Sequence, residues 1–128
     1  MVGKIVRVIL ASALALSVAG AVPAAAKEGD VIKTGACSGA SDWKLKLSPE
    51  NGRIEVEYEV DSNKVGQTWR VRIYQNGNKI FGGSRVTKAP SGSFSVRVLA
   101  NDTAGTDAFK GRATNPGSGE LCVGRASF

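Results

Sequence analysis

Three glutamates stand at every second position within the run from Trp43 to Val60: Glu55, Glu57 and Glu59. On a strand they share one face, about 7 Å apart. Carboxylates at that spacing are compatible with acid and base work across a glycosidic bond. That work requires two different environments, so that one carboxyl keeps its proton while the other is ionised. The preceding run carries Lys44 and Lys46 at the same alternation. Setting Ser48 opposite Arg53 across a Pro49–Gly52 reversal places Leu47 against Ile54, Lys46 against Glu55, Leu45 against Val56, Lys44 against Glu57 and Trp43 against Tyr58. Lysines beside the acids hold both ionised instead of dividing them. The row is therefore expected to be a solvated wall that sets strand register, each pair contributing about 0.2–1 kcal/mol. Calcium wants a cage of oxygens from a turning loop, not a flat ladder.

Other chemical strings are weaker. Ser41-Asp42-Trp43-Lys44 spells S-x-x-K, and Lys33-Thr34-Gly35 spells K-T-G, as in penicillin-recognising serine enzymes. An offset of three brings Ser and Lys together on a helix. In a strand pattern it points them to opposite faces. The sequence contains no histidine, the usual base for a serine or cysteine nucleophile. Two cysteines are too few for a structural zinc site. No glycine-rich phosphate loop leads into a helix. No catalytic residue, metal ligand or cofactor is assigned, and the chain is expected not to be an enzyme.

The N-terminus bears on compartment. Lys4 and Arg7 precede an apolar, alanine-rich run from Val8 to Val22, closed by Pro23 and the small residues Ala24 to Ala26. That layout is a secretory signal peptide over residues 1–26, too short and too weakly apolar for a membrane anchor. Residues 27–128 then form one domain. The expected localisation is secreted and extracellular, with no membrane span after cleavage. In an oxidising compartment Cys37 and Cys122 pair as a disulfide closing about 85 residues. The whole chain has 17 Lys and Arg against 11 Asp and Glu. The leader removes two cations, which leaves a mild positive balance.

From Lys27 onward the pattern has period two. Trp43, Leu45 and Leu47 alternate with lysines, and Ile54, Val56, Tyr58 and Val60 alternate with glutamates. Trp69, Val71 and Ile73 alternate with Arg70 and Arg72, and Phe94, Val96 and Val98 with Ser95 and Arg97. Each is a half-buried strand. Weaker strands are expected over 30–36, 79–81, 106–113 and 121–127. Asn76-Gly77 marks a tight hairpin. Such a series without helices predicts an all-β, two-sheet antiparallel sandwich. Its order of pieces resembles an immunoglobulin or fibronectin type III domain. Trp69 opens a central strand, "SGSFSVRV" stands as the middle strand, and "GTDAFKGRATNPGSG" as the penultimate strand and its hairpin. The likeness implies an immunoglobulin-like sandwich. It departs from the family in replacing the inter-sheet cysteine pair with a terminal clamp and in placing Phe109 where a corner tyrosine belongs.

The cations are the remaining candidates. The connection from Asp61 to Gln67 is longer than a usual hairpin loop and is expected to cross between sheets. The strand bearing Arg70 and Arg72 then neighbours the one bearing Lys110 and Arg112, and beyond it the one bearing Arg125. With Trp69, Val71, Phe109 and Cys122 inward, all five face out together, while the glutamates lie on the other sheet with Lys44, Lys46 and Arg97. A simple hairpin instead pairs Glu59 with Arg70 and Glu57 with Arg72, and neutralises both faces. The expected function is a non-catalytic binding or structural module, a monomer, whose basic face meets an anionic polymer or an acidic protein surface. Nucleic acid is disfavoured because Trp69 and Phe109 are spent inward. Two alternatives remain: an inhibitor of a secreted hydrolase using the Tyr74–Lys79 hairpin as its probe, and a small hydrolase built on carboxylates.

Overall fold

A computed structural model describes residues 26–128. The signal-peptide reading falls outside these residues, except for Ala26. Alternating burial produces eight strands: β1 (Val31–Ala36), β2 (Asp42–Glu50), β3 (Arg53–Asp61), β4 (Thr68–Gln75), β5 (Asn78–Val86), β6 (Ser93–Asn101), β7 (Ala108–Thr114) and β8 (Leu121–Ser127). They form two antiparallel sheets in the orders β1-β2-β3-β6 and β5-β4-β7-β8. The neighbours β2-β3-β6 and β4-β7-β8 follow the A-B-E and C-F-G orders of an immunoglobulin-like sandwich. Strand β5 flanks β4, and β1 is added outside β2. The segment between Asp61 and Thr68 does cross from one sheet to the other.

The inward positions make one core. Leu45, Leu47, Ile54, Val56, Tyr58 and Val60 come from the first sheet, and Trp69, Val71, Ile73, Phe109, Ala113 and Cys122 from the second. Two glycines decide how closely the sheets approach. Gly111 of β7 lies directly opposite Gly124 of β8, and both face inward. A Cβ on Gly111 would stand 2.6 Å from the Tyr58 ring, and one on Gly124 would stand 2.5 Å from Trp43. Two large aromatics of the first sheet thus occupy a trough that the second sheet leaves bare. From there the Tyr58 hydroxyl donates to the Cys122 carbonyl at 2.9 Å. Burial pushes the phenol pKa well above its ordinary value.

The rim beside that trough is stapled. Cys37, just beyond β1, is bonded to Cys122 of β8 across 85 residues. Ser38 N–H donates to the Leu121 carbonyl, and the Leu121 N–H returns to the Ser38 hydroxyl. The Glu120 carboxylate accepts from the Gly39 and Ser41 N–H groups and from the Ser41 hydroxyl. Ser41 is therefore a buried anchor of the β1–β2 loop, its N–H and hydroxyl both engaged by Glu120.

Two sequence expectations need correction. The β2–β3 turn is two residues long, not four. Asn51 and Gly52 both have positive φ, at 52° and 79°, which suits the twist of a tight hairpin. Glu50 therefore faces Arg53, Pro49 enters the ladder opposite Ile54, and Trp43 faces Val60 instead of Tyr58. The proline is tolerated because β1 pairs only as far as Leu47, leaving the missing N–H on an uncovered side. A slip of two residues keeps every side chain on its face, so lysines still meet glutamates. The second correction concerns β5, which runs nine residues instead of three. Gly82-Gly83 hid it, since glycine weakens a strand signal. In the fold Lys79 lies against Gly82 and the Phe81 ring against Gly83.

Gly111→Ala and Gly124→Ala should each cost about 1–3 kcal/mol through forced overpacking. Urea unfolding reads this directly, and unchanged midpoints would mean the trough has slack. Replacing both cysteines by serine should cost about 4–5 kcal/mol by the chain-entropy argument, seen as a lower midpoint in the same assay.

Candidate functional site

The outer faces of the two sheets differ in charge for a reason of register. On the first sheet every member of the glutamate row has a cation. Glu55 and Glu57 meet Arg97 at 3.2 and 3.3 Å, Glu57 also lies 3.9 Å from Lys46, and Glu59 lies 3.9 Å from Lys44. Arg97 reaches two acids because β6 pairs with β3 and sets Arg97 opposite Glu57. The glutamate row is thereby neutralised, while Asp42 and Asp61 stand opposite each other at the end of the face. A hollow of about 340 Å³ at its end holds Asp42, Glu59 and Asp61. There Glu59 is engaged by Lys44, and Asp61 accepts the Asn63 N–H.

The second sheet contains no Asp or Glu in any of its four strands. Arg70 and Arg72 alternate outward from β4 around buried Trp69, Val71 and Ile73. The ladder sets Arg70 opposite Thr114, Arg72 opposite Arg112, and Tyr74 opposite Lys110. Lys110 in turn faces Arg125 of β8. The five cations expected from the sequence are therefore brought to one face. Like charges stand directly opposite one another at Arg72–Arg112 and Lys110–Arg125, an arrangement that costs stability in a ladder. Among the described residues, no carboxylate forms a close ion pair with any of these five side chains.

Two hollows lie on this face. One, of about 220 Å³, is lined by Arg70, Arg72, Arg112 and Thr114. The other, of about 440 Å³, includes Tyr74, Lys110 and Arg125. The Lys110 ammonium sits 4.9 Å from the centre of the Tyr74 ring, which holds it at the mouth of this second hollow. The sequence reading did not place Lys79 on this face and did not single out Thr114. Lys79 is opposite Tyr74 across the Asn76-Gly77 turn and adds a sixth cation to the face. Counting back from a two-residue turn would have found it. Thr114 carries no charge, and only its pairing with Arg70 marks it.

The end of the sheet that shapes the second hollow is organised by Asp107, which is fully buried. Its carboxylate accepts from the Thr103 hydroxyl and N–H, from the Asn76 amide at 2.9 Å and from the Gln75 amide at 3.1 Å. These donors, the Thr103 hydroxyl foremost, lower its pKa to about 2. They also pin the β4–β5 hairpin. Its tip is only Asn76-Gly77, and Asn76 is further held by the Ala108 N–H donating to its side-chain oxygen. The probe imagined for an inhibitor is thus a short, tethered turn.

Comparison with protein-family models, curated proteins and solved structures finds no match. Among the described residues, no helix is long and apolar enough to cross a membrane.

Because the Asp107 pKa is depressed on folding, its stabilisation is complete above about pH 4, the unfolded carboxyl range, and is lost as pH falls toward its folded value of about 2. Wild type should lose stability across that acid window. Asp107→Asn should be less stable at neutral pH and show a shallower acid loss. Urea midpoints from pH 7 to pH 2 check both, and parallel profiles would remove Asp107 from this role.

Proposed function

We propose that this protein is a small exported, non-catalytic binding module that docks on an anionic polymer through the outer face of the sheet β5-β4-β7-β8. One observation carries the reading. Arg70, Arg72, Lys79, Lys110, Arg112 and Arg125 share a face whose four strands hold no acid, while the glutamates of the opposite sheet are each matched by a cation. A strand that needs only solubility can mix the two signs, as the first sheet does. Segregation costs self-repulsion, which a polyanion offsets.

Export is supported by the leader-like residues 1–26 and by the disulfide, which suits an oxidising compartment. A binding role in place of catalysis is supported by the lack of histidine in the sequence and by the fate of the glutamate row. Its carboxylates share cations on an open face, and nothing places two of them in contrasting environments. The module is proposed to act as a monomer.

Retention on an anionic matrix should fall steeply with salt, since each neutralised charge on a polyanion releases a counterion. An Arg70→Glu/Arg72→Glu variant, checked for unchanged circular dichroism, should elute at markedly lower salt than wild type. Elution at the same salt would end this reading.

A further inference from the structure

The basic face is not uniform, and its finer structure points to the chemistry of the anion. We propose that the cleft of Arg70, Arg72, Arg112 and Thr114 binds one tetrahedral oxyanion, and that the polymer partner is a polysaccharide carrying sulfate or phosphate esters. The proposal rests on the polyanion-binding reading above and narrows it.

The four residues are two consecutive cross-strand pairs, Arg70 with Thr114 and Arg72 with Arg112. Neighbouring strands stand about 4.8 Å apart, and residues two apart on a strand about 7 Å. Three guanidinium-bearing chains and one hydroxyl therefore spring from the corners of a small rectangle. Between them is the hollow of about 220 Å³. A carboxylate has two oxygens in one plane, and a single guanidinium fork can occupy both. It would leave two of the three arginines without a direct partner. A sulfate or phosphate ester directs three free oxygens outward and can meet all three guanidiniums at once, with the Thr114 hydroxyl as a further donor.

The choice of cation agrees. All three charges lining this cleft are arginines, whereas Lys110 lies over the Tyr74 ring at the next hollow. Arginine's planar fork matches oxyanion geometry, and lysine acts as a point charge. The direct Arg72–Arg112 opposition costs stability, and a bound oxyanion turns it into a shared contact.

The polymer assignment rests on the second hollow. Tyr74 lies two residues beyond Arg72 on β4, so the Tyr74–Lys110–Arg125 hollow follows the cleft along the strands by about 7 Å. Two adjacent cationic hollows suit a chain with repeated esters better than one free ion. A nucleic acid would want aromatic faces for stacking, and Lys110 lies over the Tyr74 ring. A bilayer would want apolar side chains to insert. Of the exposed large apolar residues Ile32, Val65, Val86 and Leu99, only Val86 belongs to this sheet.

The test compares dextran sulfate with carboxymethyl dextran at matched charge density and fixed ionic strength. Wild type should bind the sulfated polymer roughly tenfold tighter, the equivalent of one charge-assisted hydrogen bond. Arg112→Gln should lose most of that preference, weakening carboxymethyl dextran no more than the loss of any one cation of the face does. Arg125→Gln, outside the cleft, should weaken both equally. Equal binding of the two polymers by wild type, or equal weakening by Arg112→Gln, overturns the oxyanion cleft while the basic face still stands. Binding to neither polymer removes the face itself. Tighter binding to phosphatidylglycerol vesicles than to dextran sulfate overturns the polysaccharide assignment. Should Arg112→Gln fail to fold, wild type titrated with inorganic sulfate and with inorganic phosphate decides the matter. Saturable shifts of the arginine Nε–H resonances, absent with chloride, support the cleft and show which ester it prefers. Shifts that merely follow ionic strength overturn it.

Discussion

The sandwich closes around two missing side chains. Gly111 and Gly124 sit opposite each other on neighbouring strands, and the Tyr58 and Trp43 rings fill the space they leave. Any Cβ there would meet a ring well inside contact distance. The close approach lets the Tyr58 hydroxyl satisfy the Cys122 carbonyl in a dry interior, where an unmet polar group would be costly. It also brings the end of β1 near enough to β8 for the Cys37–Cys122 bond. The same glycines are flanked in sequence by the outward cations. Lys110 and Arg112 stand on either side of Gly111, and Arg125 follows Gly124. Seating the aromatics and displaying the charges are thus two consequences of one alternation.

The charge division follows from which strands share a sheet. In a two-sheet sandwich the long crossover after β3 separates the glutamate strand from the arginine strands. Had β3 and β4 paired as a hairpin, acids and arginines would have neutralised each other. The core between the sheets keeps them on opposite sides of the molecule. On the first sheet the row of carboxylates is met by Lys44, Lys46 and Arg97 and becomes an ordinary wet surface. On the second, nothing of opposite sign is within the ladder. The molecule therefore carries both signs of charge on one side and cations alone in the strands of the other, and among the described residues the one fully buried charged group is Asp107, which neutral donors satisfy.

Much of this was legible residue by residue. Strict alternation around Trp69 and around Tyr58 identified both strands and their inward faces, because period two leaves no freedom about which side chains share a side. Asn76-Gly77 identified its own turn, since both positions adopt positive φ. Asn51-Gly52 carried the same signal, but the proline two residues earlier suggested a longer reversal. The resulting error of two residues left the faces intact and exchanged the partners. Most of strand β5 was invisible because Gly82-Gly83 has no side chains to show a pattern, and without that strand in the sheet Lys79 was not placed on the basic face.

By itself, the amino-acid sequence determined the class of fold, the disulfide partners, the inward and outward sets on each strand, and the absence of the usual catalytic base. These are local matters: periodicity, turn chemistry and a count of two cysteines. Only the tertiary structure decided that Arg97 bridges two glutamates, that Arg70, Arg72, Arg112 and Thr114 enclose a cleft, and that Gly111 faces Gly124. Each of those depends on strands distant in sequence lying side by side in one register. Alternation states which way a side chain points, and only the pairing of strands states what it meets there.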